Sequence, residues 1–311
     1  MAETKHILIT GATGFIGQHL LEDLLNLNYK ISIITRDPAK AMRVHSEKIQ
    51  VLKADLNDVN SLTAAFKGVD CLVNIAAEVR NEKQMAVTNI QGTHNLVEAA
   101  LANNIQRIIH ISSVGVVGMQ YSLSAVVVNE DQLCLPKNEY ERSKLESEHI
   151  WRKAAIDNNL NLAILRPTNV FGEHYAKKVL LNLFTKLKSN SFFVCSKHAV
   201  ANFVYVKDVT GAIVQLIHQN EQNGVFNVGE SIPLITFVQY MAQSLGKNIK
   251  VIYLPKFVFS ILNLFGIPQI RPLSNAVSYS DSKLKGIMQY PKGVQQGLKN
   301  TWEYYRSTTL N

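Results

Sequence analysis

The sequence holds few of the residues that build metal centres or disulfide frameworks. Its 311 residues include three cysteines, Cys71, Cys134 and Cys195, with neither zinc-ligand spacing nor an even count. His94 and His149 fall on expected helices without ligating neighbours, so no metal is expected. Cys71 sits in an apolar run and reads as a small buried hydrophobe. A reducing, cytoplasmic setting is expected. Long apolar runs are also missing: residues 257–267 form the longest, far short of the ~20 residues that span a bilayer. The first strand pattern begins within a few residues of Met1, so no signal peptide is expected. No basic run interleaved with aromatics occurs, which argues against nucleic acid. No G-x-S-x-G elbow occurs either, which argues against a nucleophilic serine.

What is present describes a chain with a sizeable core. Hydrophobic residues make up 47% and charged residues 18%, which excludes a disordered chain. The length suits one large domain or two fused lobes. The formal net charge of +8 favours anionic ligands such as phosphorylated cofactors, or an acidic membrane surface. The cations are scattered. The densest groups are Lys177-Lys178 with Lys186 and Lys188, and the series Lys247, Lys250, Lys256.

The stretch Ile7-Leu-Ile-Thr-Gly-Ala-Thr-Gly-Phe-Ile-Gly17 reads as an apolar strand, a glycine turn and a helix. Gly11 lets the chain leave the strand sharply, Gly14 leaves room for a phosphate, and Gly17 lets the helix pack closely on its strand. The helix start offers N–H groups and a positive dipole end to a pyrophosphate. Gly11, Thr13, Gly14, Phe15, Ile16 and Gly17 are therefore the candidate phosphate-binding residues of a dinucleotide site.

Strand and helix patterns alternate through the first half. Strands are expected at 31–35, 50–54, 71–76, 107–112 and 161–165, with helices over 15–28, 85–102 and 139–157. Apolar strands joined by helices imply α/β architecture, with a doubly wound parallel sheet covered on both faces. After Pro167 the rhythm loosens, with helical stretches at 179–188 and 209–219 and short strands at 203–206 and 225–228. The expectation is a dinucleotide-binding domain over 1–170 and a smaller, mainly substrate-binding lobe over 171–311, with segments able to return to the first domain. Phe257, Ile261, Leu264 and Phe265 recur at helical spacing. They read as a helix packed on that lobe, with a substrate-pocket wall or a membrane-surface contact as lesser readings.

The end of the second strand selects between nicotinamide cofactors. An acidic residue there holds the ribose hydroxyls of NAD, and an Arg accommodates the extra phosphate of NADP. The sequence carries Thr35-Arg36-Asp37-Pro38. Arg36 favours NADP, or is a solvated turn residue, while Asp37 one residue later leaves NAD open. Asp55-Leu56 follows the third strand, where Asp55 meets the adenine amino group or caps the next helix.

The chemistry is expected at Tyr140-Glu-Arg-Ser-Lys144. Residues four apart share a helix face. A free Tyr titrates near ~10, and a neighbouring cation favours its phenolate. Tyr140 then exchanges a proton with a substrate oxygen while hydride moves at the adjacent carbon, and Lys144 also reaches the nicotinamide ribose. Ser112-Ser113 closes a strand at the carboxyl edge, where ligands bind in open α/β sheets. Ser113 orients the reacting oxygen, or both serines simply satisfy a strand-to-loop turn.

Together these pieces resemble the extended short-chain dehydrogenase/reductases, also called the NAD-dependent epimerase/dehydratase family. The matching segments are Thr10-Gly-Ala-Thr-Gly-Phe-Ile-Gly17, Asp55-Leu56, Asn89-Ile-Gln-Gly-Thr93, Ser112-Ser113 with Gly118, Tyr140 to Lys144, Arg166-Pro-Thr-Asn-Val-Phe-Gly172, Phe203-Val-Tyr-Val-Lys-Asp208 and Phe226-Asn-Val-Gly229. The resemblance implies a Rossmann-type fold and a Ser113–Tyr140–Lys144 site, with Ser113 preferred to Ser112 because Gly118 follows it by five residues. It implies that Ala76 and Ala77 line the cofactor groove, that Asn89 supports it, and that Pro167 to Asn169 pass near the nicotinamide. It also implies a small-molecule substrate and a homodimer formed through the helices near 85–102 and 139–157. Nucleotide-sugar members commonly carry an Arg before the F-V-x-V-x-D segment. This chain has Val200-Ala-Asn-Phe203 there, which weakens a nucleotide-sugar substrate unless Arg271, Lys177 or Lys178 supplies the charge. The expected function is an NADP-preferring oxidoreductase acting at a secondary alcohol or ketone. The alternatives are a nucleotide-sugar epimerase or dehydratase with tightly bound NAD, and a non-catalytic NADP-binding or sensing protein.

Overall fold

Among the described residues of the computed structural model, fourteen short strands, most of them rich in Ile, Val and Leu, make up the sheets. The structure describes residues 5–41, 46–175, 179–190, 192–265 and 268–308. In chain order the strands are β1 (His6–Thr10), β2 (Lys30–Thr35), β3 (Ile49–Lys53), β4 (Cys71–Asn74), β5 (Arg107–Ile111), β6 (Val126–Val128), β7 (Asn161–Pro167), β8 (Asn169–Phe171), β9 (Phe192–Cys195), β10 (Val200–Tyr205), β11 (Gly224–Val228), β12 (Glu230–Pro233), β13 (Lys250–Tyr253) and β14 (Val277–Tyr279).

Seven of them form one sheet in the order β11-β7-β5-β4-β1-β2-β3. The pairs β1–β2, β2–β3, β1–β4, β4–β5 and β5–β7 are all parallel. The order reverses between β1 and β4, the kind of switch point where open α/β sheets bind ligands. Strand residues such as Ile7, Leu8, Ile9, Leu72, Val73, Ile108 and Ile109 are fully buried, as a sheet covered on both faces requires. One side of the core joins Leu8, Leu72, Ile108 and Ile164 to Leu62, Phe66, Leu96, Ala99, Trp151 and Ala154. These last six come from or adjoin the helices Val59–Ala65, Gly92–Ala102 and Glu139–Asn158. Each fully buried aliphatic side chain contributes about 1.5–3 kcal/mol of hydrophobic stabilisation.

The chain divides into two compact units. The first runs to Gly118, resumes over Cys134–Arg166 and takes Thr210–Phe226. The second holds Met119–Leu133, Pro167–Val209 and the chain from Asn227 onward. In the second unit β10 pairs with β8 in parallel and with β12 antiparallel, and the pairs β13–β9 and β14–β6 are parallel. Phe203 of β10 stacks on Phe237 at 4.4 Å between ring centroids. The Asp208 carboxylate accepts from the N–H groups of Lys292 and Gly293, both at 2.9 Å, where the helix Gly293–Thr308 begins. Among the described residues no helix is long and apolar enough to cross a membrane, and no group of three or more His, Cys, Asp or Glu is placed to hold a metal ion.

Elements end where side chains take over backbone partners. The strand expected over 71–76 stops at Asn74, because Thr10 Oγ1 takes the Ala76 N–H at 3.1 Å. The helix expected over 85–102 is three pieces: Glu82–Met85, a π-helical turn Ala86–Gln91, and Gly92–Ala102. Such π turns gather at functional sites.

In the first unit, Arg107 is 1% exposed at the start of β5. Its guanidinium donates to the carbonyls of Leu216 at 2.9 Å, Gln222 at 3.0 Å and Asn161 at 3.3 Å, and to Asn223 Oδ1 at 3.2 Å. Leu216 lies at the carboxyl end of the helix Val206–His218, whose dipole favours a cation. Arg107→Met strands the buried Leu216 carbonyl and the partly buried acceptors beside it, so it is expected to cost about 3 kcal/mol in urea unfolding. Arg142→Met breaks only the exposed pair with Glu139 and is expected to cost less than about 1 kcal/mol. Equal costs for the two would remove the anchoring role of Arg107.

Candidate active site

The glycine turn is shaped by two close approaches. Gly11 has φ of 70°, in the left-handed region, and a Cβ there would lie 2.7 Å from the Ala76 nitrogen. A Cβ on Gly17 would run into the Gly11 carbonyl and Ala12, so both positions need glycine. Gly14 is exposed and its N–H donates to the Gly11 carbonyl at 3.0 Å. The helix Phe15–Leu24 then begins with no side-chain cap and no acidic residue in its first turn. Its first N–H groups and positive dipole end suit a pyrophosphate. Thr13, Phe15 and Ile16 are half-buried beside it. The cradle therefore fits a dinucleotide.

Beneath that edge lies a tier of buried polar groups on three adjacent strands. Thr10 Oγ1 accepts from Ala76 N and donates to Asn74 Oδ1 at 2.6 Å. Asn74 Nδ2 lies 3.1 Å from His110 Nδ1. Since the amide oxygen faces the Thr10 hydroxyl, the Asn74 NH2 donates to Nδ1, which assigns the imidazole proton to Nε2. Burial holds the His110 imidazole well below its ordinary titration range, and nearby Lys144 pushes it the same way. The tier fixes the backbone entering Ala76 and Ala77, which are both half-buried.

At the other side of the glycine turn, Arg36 is exposed immediately after β2. The neighbouring Asp37 carboxylate accepts from Ala39 N at 3.1 Å, holding the start of the short helix Pro38–Ala41. Asp55 Oδ1 accepts from Asn57 N at 3.0 Å, and it is Asp58 that caps the helix Val59–Ala65. The Leu56 carbonyl accepts from Asn95 Nδ2 at 2.7 Å. A Cβ on Gly92 would lie 3.1 Å from the Leu56 side chain.

Asn89 sits within the π turn and is buried. Its Oδ1 accepts from Glu78 N at 2.7 Å, and its Nδ2 donates to the Glu78 carbonyl at 3.0 Å and to Ser143 Oγ at 2.9 Å. One side chain thus ties the loop after Ala77 to the helix that carries Tyr140 and Lys144.

That helix, Glu139–Asn158, starts at a reciprocal cap. Asn138 Oδ1 accepts from Glu141 N at 2.9 Å, while the Glu141 carboxylate accepts from Lys137 N and Asn138 Nδ2, both at 2.7 Å. Tyr140 is half-buried in this capped first turn. One turn further on, Lys144 is 2% exposed, and its Nζ donates to the Ile111 carbonyl at 2.5 Å. Ile111 ends β5, two residues before Ser113. Ser113 caps the short 3-10 turn Val114–Val117, with its Oγ accepting from Gly115 N at 3.1 Å, which leaves the hydroxyl proton to donate elsewhere. Ser112 Oγ is buried with no hydrogen-bond partner among the described residues.

Burial pushes the Lys144 ammonium from 10.5 down to about 8, and the Glu148 carboxylate on the same helix face opposes that loss. Glu148 is itself fully buried and holds Arg166 bidentately, at 2.8 Å from Nε and 2.6 Å from the terminal nitrogen. Glu148, which supports the charge on Lys144 and pairs with Arg166, is the site neighbour that the sequence motifs did not flag. Its i+4 spacing from Lys144 was the available signal.

The remaining expected positions lie in the second unit. Pro167 ends β7, and Asn169 is exposed with its Nδ2 donating to the Asn202 carbonyl at 2.9 Å. Asn202, in the segment that lacks the expected Arg, ties β10 to its neighbours: Nδ2 donates to the Val277 carbonyl at 2.9 Å and Oδ1 accepts from Ser231 at 2.6 Å. Arg271 lies over the Tyr121 ring at 5.8 Å. Lys177 and Lys178 lie outside the described residues.

Comparison with known proteins places this geometry. Cinnamoyl-CoA reductase 1 from Oryza sativa subsp. japonica is 28% identical over 240 residues, covering 71% of this chain and 70% of the relative. A trifunctional UDP-glucose 4,6-dehydratase/UDP-4-keto-6-deoxy-D-glucose 3,5-epimerase/UDP-4-keto-L-rhamnose-reductase from Arabidopsis thaliana is 29% identical over 251 residues, and the chain spans 37% of its length. The structure of WbmG from Bordetella bronchiseptica, in complex with NAD, superposes with a TM-score of 0.77 at 20% identity, covering 100% of this chain and 96% of that one. It shares the fold. The model of the NAD dependent epimerase/dehydratase family matches residues 7–229, and the chain belongs to that family.

Proposed function

We propose that the protein is an NAD(P)-dependent oxidoreductase that moves a hydride at a secondary alcohol or ketone carbon. The observation that carries the reading is the buried Lys144, one helical turn from Tyr140 and bonded to the carbonyl that ends β5. When bound, the nicotinamide supplies or accepts the hydride. In the reductive direction Tyr140 gives its phenolic proton to the substrate oxygen as the carbonyl becomes an alcohol. Lys144, placed four residues on, favours the phenolate that remains. Ser113 donates to the same oxygen and orients it. A second reading, an epimerase or dehydratase that returns the hydride to the same substrate, is favoured by the activities named for the Arabidopsis relative.

Arg36 supports a preference for NADP. The Asp37 carboxylate is engaged at the start of its helix, so the exposed guanidinium is the group free to meet a 2′-phosphate.

Tyr140→Phe is expected to lower turnover about 10²–10⁴-fold with the NADPH affinity kept within about twofold. The measurement is steady-state kinetics on any ketone or alcohol that the unaltered protein converts, and full turnover by the variant would refute the acid/base role. Arg36→Ala is expected to weaken NADPH about 10–100-fold and to spare NADH, read by fluorescence titration. Equal losses for both nucleotides, or NAD retained on the purified protein by mass spectrometry, would transfer the assignment to the epimerase/dehydratase reading.

Lys144 is expected to lose its proton near pH 8, followed through the 13Cε shift of labelled lysine. Glu148→Gln removes a charge that favours the ammonium, so the midpoint moves lower still. A midpoint near 10.5, the ordinary value, would show that Lys144 is solvated in solution and would undo the buried geometry.

A further inference from the structure

The second unit exposes an apolar helix face. In the helix Lys256–Leu264, Phe259 is 1% exposed and anchors the helix on its unit, while Phe257, Ile261, Leu264 and the capping Phe265 are 63, 49, 86 and 75% exposed. At 100° per residue these four occupy one arc opposite Phe259. Isolated exposed apolar residues are ordinary, but a contiguous stripe of four large ones marks a surface that another phase covers. Ile252 and Tyr253, just before the helix, are also exposed.

The stretch of chain that carries this stripe has charge of one sign. From Ser231 to Ser280 the sequence contains no Asp or Glu, yet it carries Lys247, Lys250, Lys256 and Arg271. Lys256 begins the helix itself. Arg271 is held beside it through Tyr121: the guanidinium lies 5.8 Å from the ring centre, and Asn263 Nδ2 donates to the Tyr121 hydroxyl at 2.5 Å. Exposed Phe, Ile and Leu in a stripe flanked by cations, within a stretch of chain that has no carboxylate, is the composition of a helix that lies in a headgroup layer. The stripe is about 13 Å long at 1.5 Å per residue, too short to span a bilayer and suited to lying in its plane.

We propose that this face docks the protein on an anionic lipid bilayer, with Phe257, Ile261, Leu264 and Phe265 entering the acyl boundary and Lys256 and Arg271 meeting lipid phosphates. The docking is reversible, since one short apolar stripe gives only marginal partitioning without the added charge.

The test is co-sedimentation of the full chain with vesicles of phosphatidylcholine alone and of phosphatidylcholine mixed with phosphatidylglycerol, at physiological salt. Binding is expected on the mixed vesicles, weak on the neutral ones, and reduced by added salt. Phe257→Ser with Leu264→Ser is expected to abolish it. Lys256→Gln is expected to weaken it about fivefold. Ile156→Ser, which removes an 83%-exposed apolar residue of the first unit, leaves it unchanged. Circular dichroism confirms that each variant folds. Absence of binding to anionic vesicles, or binding unchanged in the double serine variant, overturns the proposal. So does a chain that self-associates in sedimentation velocity through the same residues while ignoring vesicles, because a second copy is then the occupant.

Discussion

A buried ammonium sets the terms for the helix Glu139–Asn158. Lys144 is almost fully enclosed, and a bare cation in such surroundings is expensive. The fold offsets that cost with the Ile111 carbonyl at the end of β5 and the Glu148 carboxylate one turn further along the helix. Glu148 in turn needs its own counter-charge and finds it in Arg166 of β7. A relay of charges therefore fixes the helix against two neighbouring strands. This helix is docked as much by polar ties as by its apolar residues, since Glu141, Ser143, Lys144, Ser147 and Glu148 are all buried. Register errors that a greasy interface tolerates would here strand a charge. Tyr140 inherits its position from that constraint and from the reciprocal cap at Asn138 and Glu141.

The architecture was legible because periodicity reports burial. The apolar runs at 7–10, 31–34, 71–73 and 107–111 are strands of one covered sheet, and the Gly11, Gly14, Gly17 spacing describes a turn whose contacts need those glycines. What escaped reading was mostly side chain to backbone bonding. Nothing in the local pattern announces that Asn89 binds Glu78 from a π turn, or that Asn202 ties Val277 to β10. Such bonds join residues far apart in sequence and replace ladder or helix partners, so they shift element ends by a residue or two. The Thr10–Asn74–His110 tier escaped for a related reason. Each member looks like an ordinary strand residue until the strand order brings β1, β4 and β5 together.

The candidate site also shows how one residue type serves two ends. Asp37, Asp55 and Asp58 all follow strands near the cofactor edge, and all three spend carboxylate oxygens on backbone N–H groups. Spacing alone does not separate a capping Asp from a ligand-binding one. Here the Asp37 carboxylate is engaged by Ala39 N while Arg36 is exposed, a contrast that only the folded chain displays.

The Arg107 anchor has a consequence for how the chain is made. Its carbonyl partners at Leu216 and Gln222 lie 109 and 115 residues downstream, and the first unit is completed only by Thr210–Phe226. A nascent chain emerging from the ribosome therefore presents β5 with a guanidinium whose partners at Leu216, Gln222 and Asn223 are still missing while Pro167–Val209 of the second unit is being synthesised. Loop closure over so long a stretch must precede the final seal of the sheet. The first unit consequently cannot finish folding before Thr210–Phe226 has been made.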